Sequence, residues 1–248
     1  MNHPDSDVIS PRRVAPVRGL EWITAGWAPF AANPGQWIAL TLLWLAVITI
    51  CHALPVLGSL VAPFVSSVFA AGTLLAAKRA RDQGSTTLLS DVFTIASHAA
   101  LQPVLIVAGI YLGMTLVVML VFVSIMATIG GLSLLAGFTH MAPGALTGGA
   151  LGVLLALLAL LAAIVPITAM YWYAIPDVVL RGAEPWVAMR RSLGACIDNV
   201  VPLLVYGVLL LIVFTIAMIP FGLGLLIAVP VLLNSWLISY EDIYTGTA

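Results

Sequence analysis

Three long stretches of this chain carry no formal charge: residues 22–77, 92–176 and 199–240, or 56, 85 and 42 residues. The nine basic and ten acidic side chains are confined to four clusters, at 5–21, 78–91, 177–198 and Glu241 with Asp242. About 20 apolar residues cross the hydrocarbon of a bilayer as a helix, so each charge-free stretch has room for two crossings and a turn. Two crossings return the chain to the side it left. All four clusters would then share one face, with Arg12, Arg13 and Arg18, then Lys78, Arg79 and Arg81, then Arg181, Arg190 and Arg191 on it. Basic residues near span ends mark the cytoplasmic side, which puts both termini in the cytoplasm.

Composition agrees. At 62% hydrophobic and 8% charged residues, against roughly 25% charged in a soluble domain, the chain lacks the polar surface of a water-soluble fold. Net charge is near zero and the basic residues are divided among separate loops with acids nearby, so nucleic acid is not an expected partner. The opening MNHPDSDVISPRR holds two aspartates and two prolines and no short apolar core with a cleavage site, unlike a signal peptide. Cys51 and Cys196 fall on opposite faces of this topology and are not expected to form a disulfide.

The expected fold is all-α: a polytopic helical membrane bundle with six transmembrane helices in three hairpin units. A disordered cytoplasmic tail (1–18) precedes a single integral membrane domain (19–248), with units at 19–85, 86–183 and 184–248. The first pair of spans is Pro34 to Leu54 and Gly58 to Ala77. The last is Val200 to Ile219 and Leu225 to Tyr240, and Pro-Gly turns reverse both pairs. In the middle stretch, Gly130-Gly131 and Pro143-Gly144 bracket a segment too short to span. That gives spans Pro103 to Ala127 and Gly149 to Ile175 with an uncharged external loop at 128–148.

Each pair is preceded by a segment that reads as a helix on the cytoplasmic surface: Gly19 to Ala32, Thr86 to Leu101 and Pro185 to Asp198. In the third, Trp186, Met189, Leu193 and Ile197 recur at helical spacing while Arg190 and Arg191 point elsewhere. Trp22, Trp27 and Trp37 are placed like interfacial anchors. Such helices either cap the bundle or contact lipid or a partner protein.

The unit of surface helix, span, span occurs three times. Each even span holds an inner proline, Pro63, Pro166 or Pro230, and six residues later an aromatic, Phe69, Trp172 or Trp236. Eleven residues after that proline stands Asp177 in one copy and Glu241 in another, with Leu74 in the first. A parallel repeat of two spans preserves orientation, so its copies are related by an axis along the membrane normal.

No Asp, Glu, Lys or Arg lies inside a span, which removes the groups that ion-coupled transport uses. The deepest polar residues follow the inner prolines: Ser66, Ser67, Thr168, Asn234 and Ser235. They form a candidate intramembrane polar site, or else bond carbonyls that proline strips of a partner. Gly109 with Gly113, and Gly148 with Gly152, have the GxxxG spacing of helix packing, for a further helix or a second copy. Cys51, His52, His140 and Met141 are soft donors that nothing holds together, so no metal or other cofactor is expected. GxSxG, HExxH, a Walker loop and paired intramembrane carboxylates are all missing, so no catalytic residues are assigned.

Gly19-Leu20-Glu21-Trp22 through Gly26-Trp27, Asn33-Pro34, Pro55-Val56-Leu57-Gly58 and Tyr240-Glu241-Asp242-Ile243-Tyr244 resemble a family of uncharacterised proteobacterial inner-membrane proteins. More distantly, Arg190-Arg191-Ser192 to Asn199 and the following pair of spans are similar to the membrane domain fused to some glycerophosphodiester phosphodiesterases. That second likeness brings no catalytic residues. The expectation is a non-enzymatic, multi-pass protein of the bacterial inner (plasma) membrane, acting through contacts with the lipid bilayer, another membrane protein or a homo-oligomer in envelope organisation. The alternative is a permease or channel for a small neutral or apolar solute.

Overall fold

A computed structural model describes residues 11–83, 88–138 and 145–246. The regular elements among them are helical: α1 (Arg18–Ala32), α2 (Pro34–His52), α3 (Pro55–Gln83), α4 (Leu88–Asp91), a 3₁₀ helix (Val92–Ser97), α5 (Leu101–Phe138), α6 (Ala145–Trp172), α7 (Ala174–Arg181), α8 (Pro185–Asp198), α9 (Val200–Met218) and α10 (Leu225–Tyr244). Six segments are long and apolar enough to cross a membrane, in α2, α3, α5, α6 with α7, α9 and α10, so the chain is a multi-pass membrane protein. It forms two compact units: the described residues through Ala108 together with Met170 onward, and Gly109–Ala169.

The middle spans depart from expectation. α5 continues unbroken through Gly130-Gly131 to Phe138, and α6 begins at Ala145, so most of the expected 128–148 loop is helix; Pro143-Gly144 and residues 139–142 lie outside the described residues. The glycine-pair rule comes from water, where bare helical backbone finds other partners; an apolar environment holds a helix's own hydrogen bonds in place. Within the even span, which runs on through α7 beyond the expected Ile175, α6 itself breaks off at Trp172. Pro176 cannot donate to the Trp172 carbonyl four residues back. That carbonyl instead accepts the Trp236 indole N–H at 3.0 Å, and the Tyr173 backbone N–H goes to the Ser192 hydroxyl at 2.9 Å.

In the larger unit, α10 and α3 are the most buried spans. α1 packs along α10 and α9 through a stripe of Gly19, Trp22, Gly26 and Phe30. A Cβ on Gly26 would collide with the Val231 carbonyl, and one on Gly19 with that of Pro202, so both glycines are needed for this approach. Trp22 and Trp37 are therefore core side chains rather than interfacial anchors: Trp22 is fully buried, and the Trp37 indole donates to the Pro29 carbonyl at 3.0 Å. Trp27 remains half exposed.

The second expected surface helix is broken. Residues 86–87 lie outside the described residues, α4 is one turn long, and the 3₁₀ helix after it buries Val92 and Ile95 on α3 at Gly72. In α8 the buried face is Ala188, Met189, Ser192, Ala195 and Cys196, packed toward α7. Of the expected stripe only Met189 is buried, while Trp186 and Ile197 are exposed. Small residues, not large apolar ones, mark the packed side.

Residues of the 1–18 tail also take part; 1–10 lie outside the described residues. The Arg12 backbone N–H donates to the Ile243 carbonyl at 2.8 Å, and Val14 N–H to the Asn199 side chain at 2.9 Å.

Candidate functional site

Two features of the larger unit combine unusual chemistry with burial. The first is a layer of charged groups where α3, α7 and α10 end. Asp242 is fully buried and takes the Trp22 indole N–H at 2.8 Å, the Arg18 Nε at 2.6 Å, and the Arg12 guanidinium. Asp177, also fully buried, accepts Arg191 at 2.9 Å and the Tyr240 hydroxyl at 3.2 Å, with Arg181 at 3.5 Å. Tyr173, Tyr240 and Tyr244 stack around this second carboxylate, and Arg181 lies over the Tyr244 ring. Arg81 grips Glu241 through two bonds of 2.9 and 2.6 Å, Arg79 faces Asp91 at 3.6 Å, and Arg13 reaches Asp198 at 2.8 Å.

Among the described residues, seven basic side chains are thus paired with acids. Buried charges need such partners, because desolvating an unpaired carboxylate costs several kcal/mol. Held by arginines and capped by aromatic donors, these carboxylates tie helices together. The Arg18 guanidinium is held above its usual range by its bond to Asp242, so it stays charged. Sequence reasoning placed Asp177 and Asp242 beside arginines but did not see them buried. The available signal was register, since they stand eleven and twelve residues after an inner proline.

The second feature is a cavity of about 600 Å³ walled by α2, α3, the end of α6, α9 and α10. Its walls are aromatic and aliphatic, with Trp37, Trp44, Trp172, Trp236, Tyr171 and Tyr206 as the largest. Ser66 reaches this wall, half-buried.

The other expected polar residues are spent inside the protein. Ser67 donates to the Pro63 carbonyl and meets the Tyr171 hydroxyl, each at 2.7 Å. Asn234 donates to the Pro230 carbonyl at 2.8 Å; Ser235 donates to Leu232 at 2.9 Å and meets the Tyr206 hydroxyl at 2.7 Å. The inner prolines strip the carbonyls of Ser59 and Leu226, four residues back. None of these three side chains bonds either carbonyl; they make i−3 or i−4 bonds within their own turn, which bend a helix slightly. Thr168 falls in the smaller unit, half-buried, and is not part of this cluster.

The expected packing glycines separate likewise. Gly109 is half-buried in α5, Gly113 faces open space, and Gly152 is approached by the Ile129 side chain of α5. The GxxxG in α6 therefore serves, at Gly152, the contact between α5 and α6 themselves. The surroundings of Gly148 lie outside the described residues. Cys51 is half-buried and Cys196 buried, and neither is in a disulfide; burial pushes the Cys196 thiol up to about 12. Among the described residues no group of three His, Cys, Asp or Glu is arranged to hold a metal, and His140 and Met141 lie outside them.

A family model described as a domain of unknown function, DUF7847, matches residues 34–242, from the first residue of α2 to the buried carboxylate of α10. Comparison with curated proteins and with solved structures gives no match.

Proposed function

The chain belongs to the DUF7847 family, and from that premise we propose a non-enzymatic inner-membrane protein, with both termini cytoplasmic, that acts through lipid or protein contacts in envelope organisation. The observation that carries this reading is the fate of the deep polar groups. Ser67, Asn234 and Ser235 are consumed by backbone carbonyls and tyrosines of the same unit, leaving an apolar, aromatic cavity at span level. A surface that offers a solute few hydrogen bonds, but offers hydrocarbon a wall, suits contact with lipid.

The proposal includes three repeated units, each with a leading segment at the cytoplasmic interface. In support, each leading segment packs on the even span of the preceding unit. The 3₁₀ helix lies on α3, α8 on α7, and α1, which leads the first unit, on α10 of the last. An ion pair ties each joint: Arg79 with Asp91, Asp177 with Arg191, and Asp242 with Arg18. The first joint has the charges exchanged, with the base on α3 and the acid on the leading segment.

The alternative of a permease or channel for a small neutral or apolar solute draws on the same cavity. Both readings meet in one assay, uptake of small neutral solutes into proteoliposomes. The lipid-contact reading expects a rate equal to that of protein-free vesicles. Saturable uptake would overturn it, and if Ser67→Ala and Asn234→Leu left such uptake unchanged, the polar cluster would not be its path.

A further inference from the structure

We propose that the aromatic cavity holds one acyl chain of a bilayer phospholipid, drawn from the leaflet opposite the charged layer; this rests on the lipid-contact reading above. Depth is the first argument. Along α10 the lining runs from Leu225 to Trp236, eleven residues apart, or about 17 Å of helix at 1.5 Å per residue. One leaflet supplies about 15 Å of hydrocarbon, half of the roughly 30 Å core. The cavity is as deep as one chain is long.

Chemistry is the second. Leu225, Val229 and Phe214 line the cavity away from the charged layer, and Trp236, Trp172 and Trp37 line it toward that layer. Two of those three indoles already spend their N–H inside the protein, Trp37 on Pro29 and Trp236 on Trp172, so they present ring surface. Among the described residues no charged side chain lines the cavity, so the occupant is recognised as hydrocarbon and its head group is not read. Access is the third. α2 and α9 both line the cavity yet make no extended contact with each other, and entry of the chain between them from the bilayer is part of the proposal. At about 600 Å³ the space falls within the range of ordinary ligand sites, roughly 300–1,000 Å³.

Four of the chain's seven tryptophans line this cavity, which gives a direct readout. The full chain is reconstituted in phosphatidylcholine nanodiscs with rising fractions of the same lipid brominated on one chain, and tryptophan quenching is followed. The expected result is a saturable component, half-complete at a brominated fraction at least fivefold below that needed to quench the remaining tryptophans. Ala70→Phe and Val229→Phe, which fill the cavity from α3 and from α10, each abolish that component. Exchanging the head group for phosphatidylglycerol changes the midpoint less than twofold.

Quenching that only tracks bulk brominated lipid, in wild type and both variants alike, overturns the proposal. So does a saturable component that survives in whichever variants retain the wild-type melting profile, or one produced by brominated free fatty acid and not by phospholipid. As a second measurement, native mass spectrometry of delipidated wild-type protein is expected to retain one phospholipid; a bare protein argues against the site. Solute uptake with the quenching signature intact would sink the envelope reading alone, and loss of the signature without uptake would sink this one alone.

Discussion

Replacing Asp242 by alanine tests how the charged layer holds α1 on α10. Three donors lose their acceptor: the Trp22 indole, Arg18 and Arg12. They are not equivalent. Trp22 is fully buried, so its N–H has no route to water, and an orphaned buried donor costs about 1–3 kcal/mol. The Arg12 and Arg18 side chains are 49% and 28% exposed and can turn outward, so each pair contributes no more than about 1 kcal/mol. The sum is about 1–5 kcal/mol, with the indole as the largest part. Asp242→Asn keeps an acceptor for the indole and should cost about half as much. Trp22→Phe in the Asp242→Ala background should cost almost nothing further for the lost N–H, a coupling of about 1–2 kcal/mol. The assay is equilibrium unfolding in mixed micelles, read by fluorescence and circular dichroism. If Asp242→Ala lies within 0.5 kcal/mol of wild type, or the coupling is zero, the carboxylate is not what fastens α1.

Gly26→Leu should destabilise by about 3 kcal/mol or more, because its Cβ meets the Val231 backbone rather than a side chain that can move. Gly35→Ala, in open space, should be neutral or stabilising by up to about 1 kcal/mol in the same unfolding assay. On the proposed orientation, an impermeant maleimide should label Cys51 from outside. Cys196 should stay unlabelled even in opened membranes at pH 8.5, since with its thiol near 12 fewer than about one in a thousand is ionised; rapid labelling there would contradict the burial of α8. Reversing the exposed pair, Arg81→Glu with Glu241→Arg, should restore whatever Arg81→Glu alone loses, at most about 1 kcal/mol.

What the sequence disclosed and what it hid divide along a physical line. Charge-free length and apolar runs are demanded by the bilayer itself, so six spans were readable, as were the prolines that punctuate them. Packing inside the bundle was harder to read, because in lipid a large apolar side chain faces outward as comfortably as inward. Trp186 and Ile197 point outward, while Ala188, Ser192 and Ala195 mark the packed face of α8. Trp22 and Trp37 looked like anchors because their position along the chain, near span entrances, is where anchors stand; their burial depends on Gly19 and Gly26 letting α1 approach. The Gly130-Gly131 break was inferred from water-based rules that do not govern an apolar helix. Of the polar residues after the inner prolines, Ser67, Asn234 and Ser235 are buried, but the tyrosine that meets Ser67 stands more than a hundred positions away, which a local pattern cannot supply.

The clasp of α1 on α10 also sets an order of events during synthesis. Trp22 and the carboxylate it bonds are 220 positions apart. At about 5–20 residues per second, α1 waits roughly 10–45 s after its own synthesis before that partner exists. During that interval its Gly19–Trp22–Gly26–Phe30 stripe has no cognate groove. A helix made 220 positions before its partner thus docks late, and a chain halted before α10 would carry that stripe uncovered.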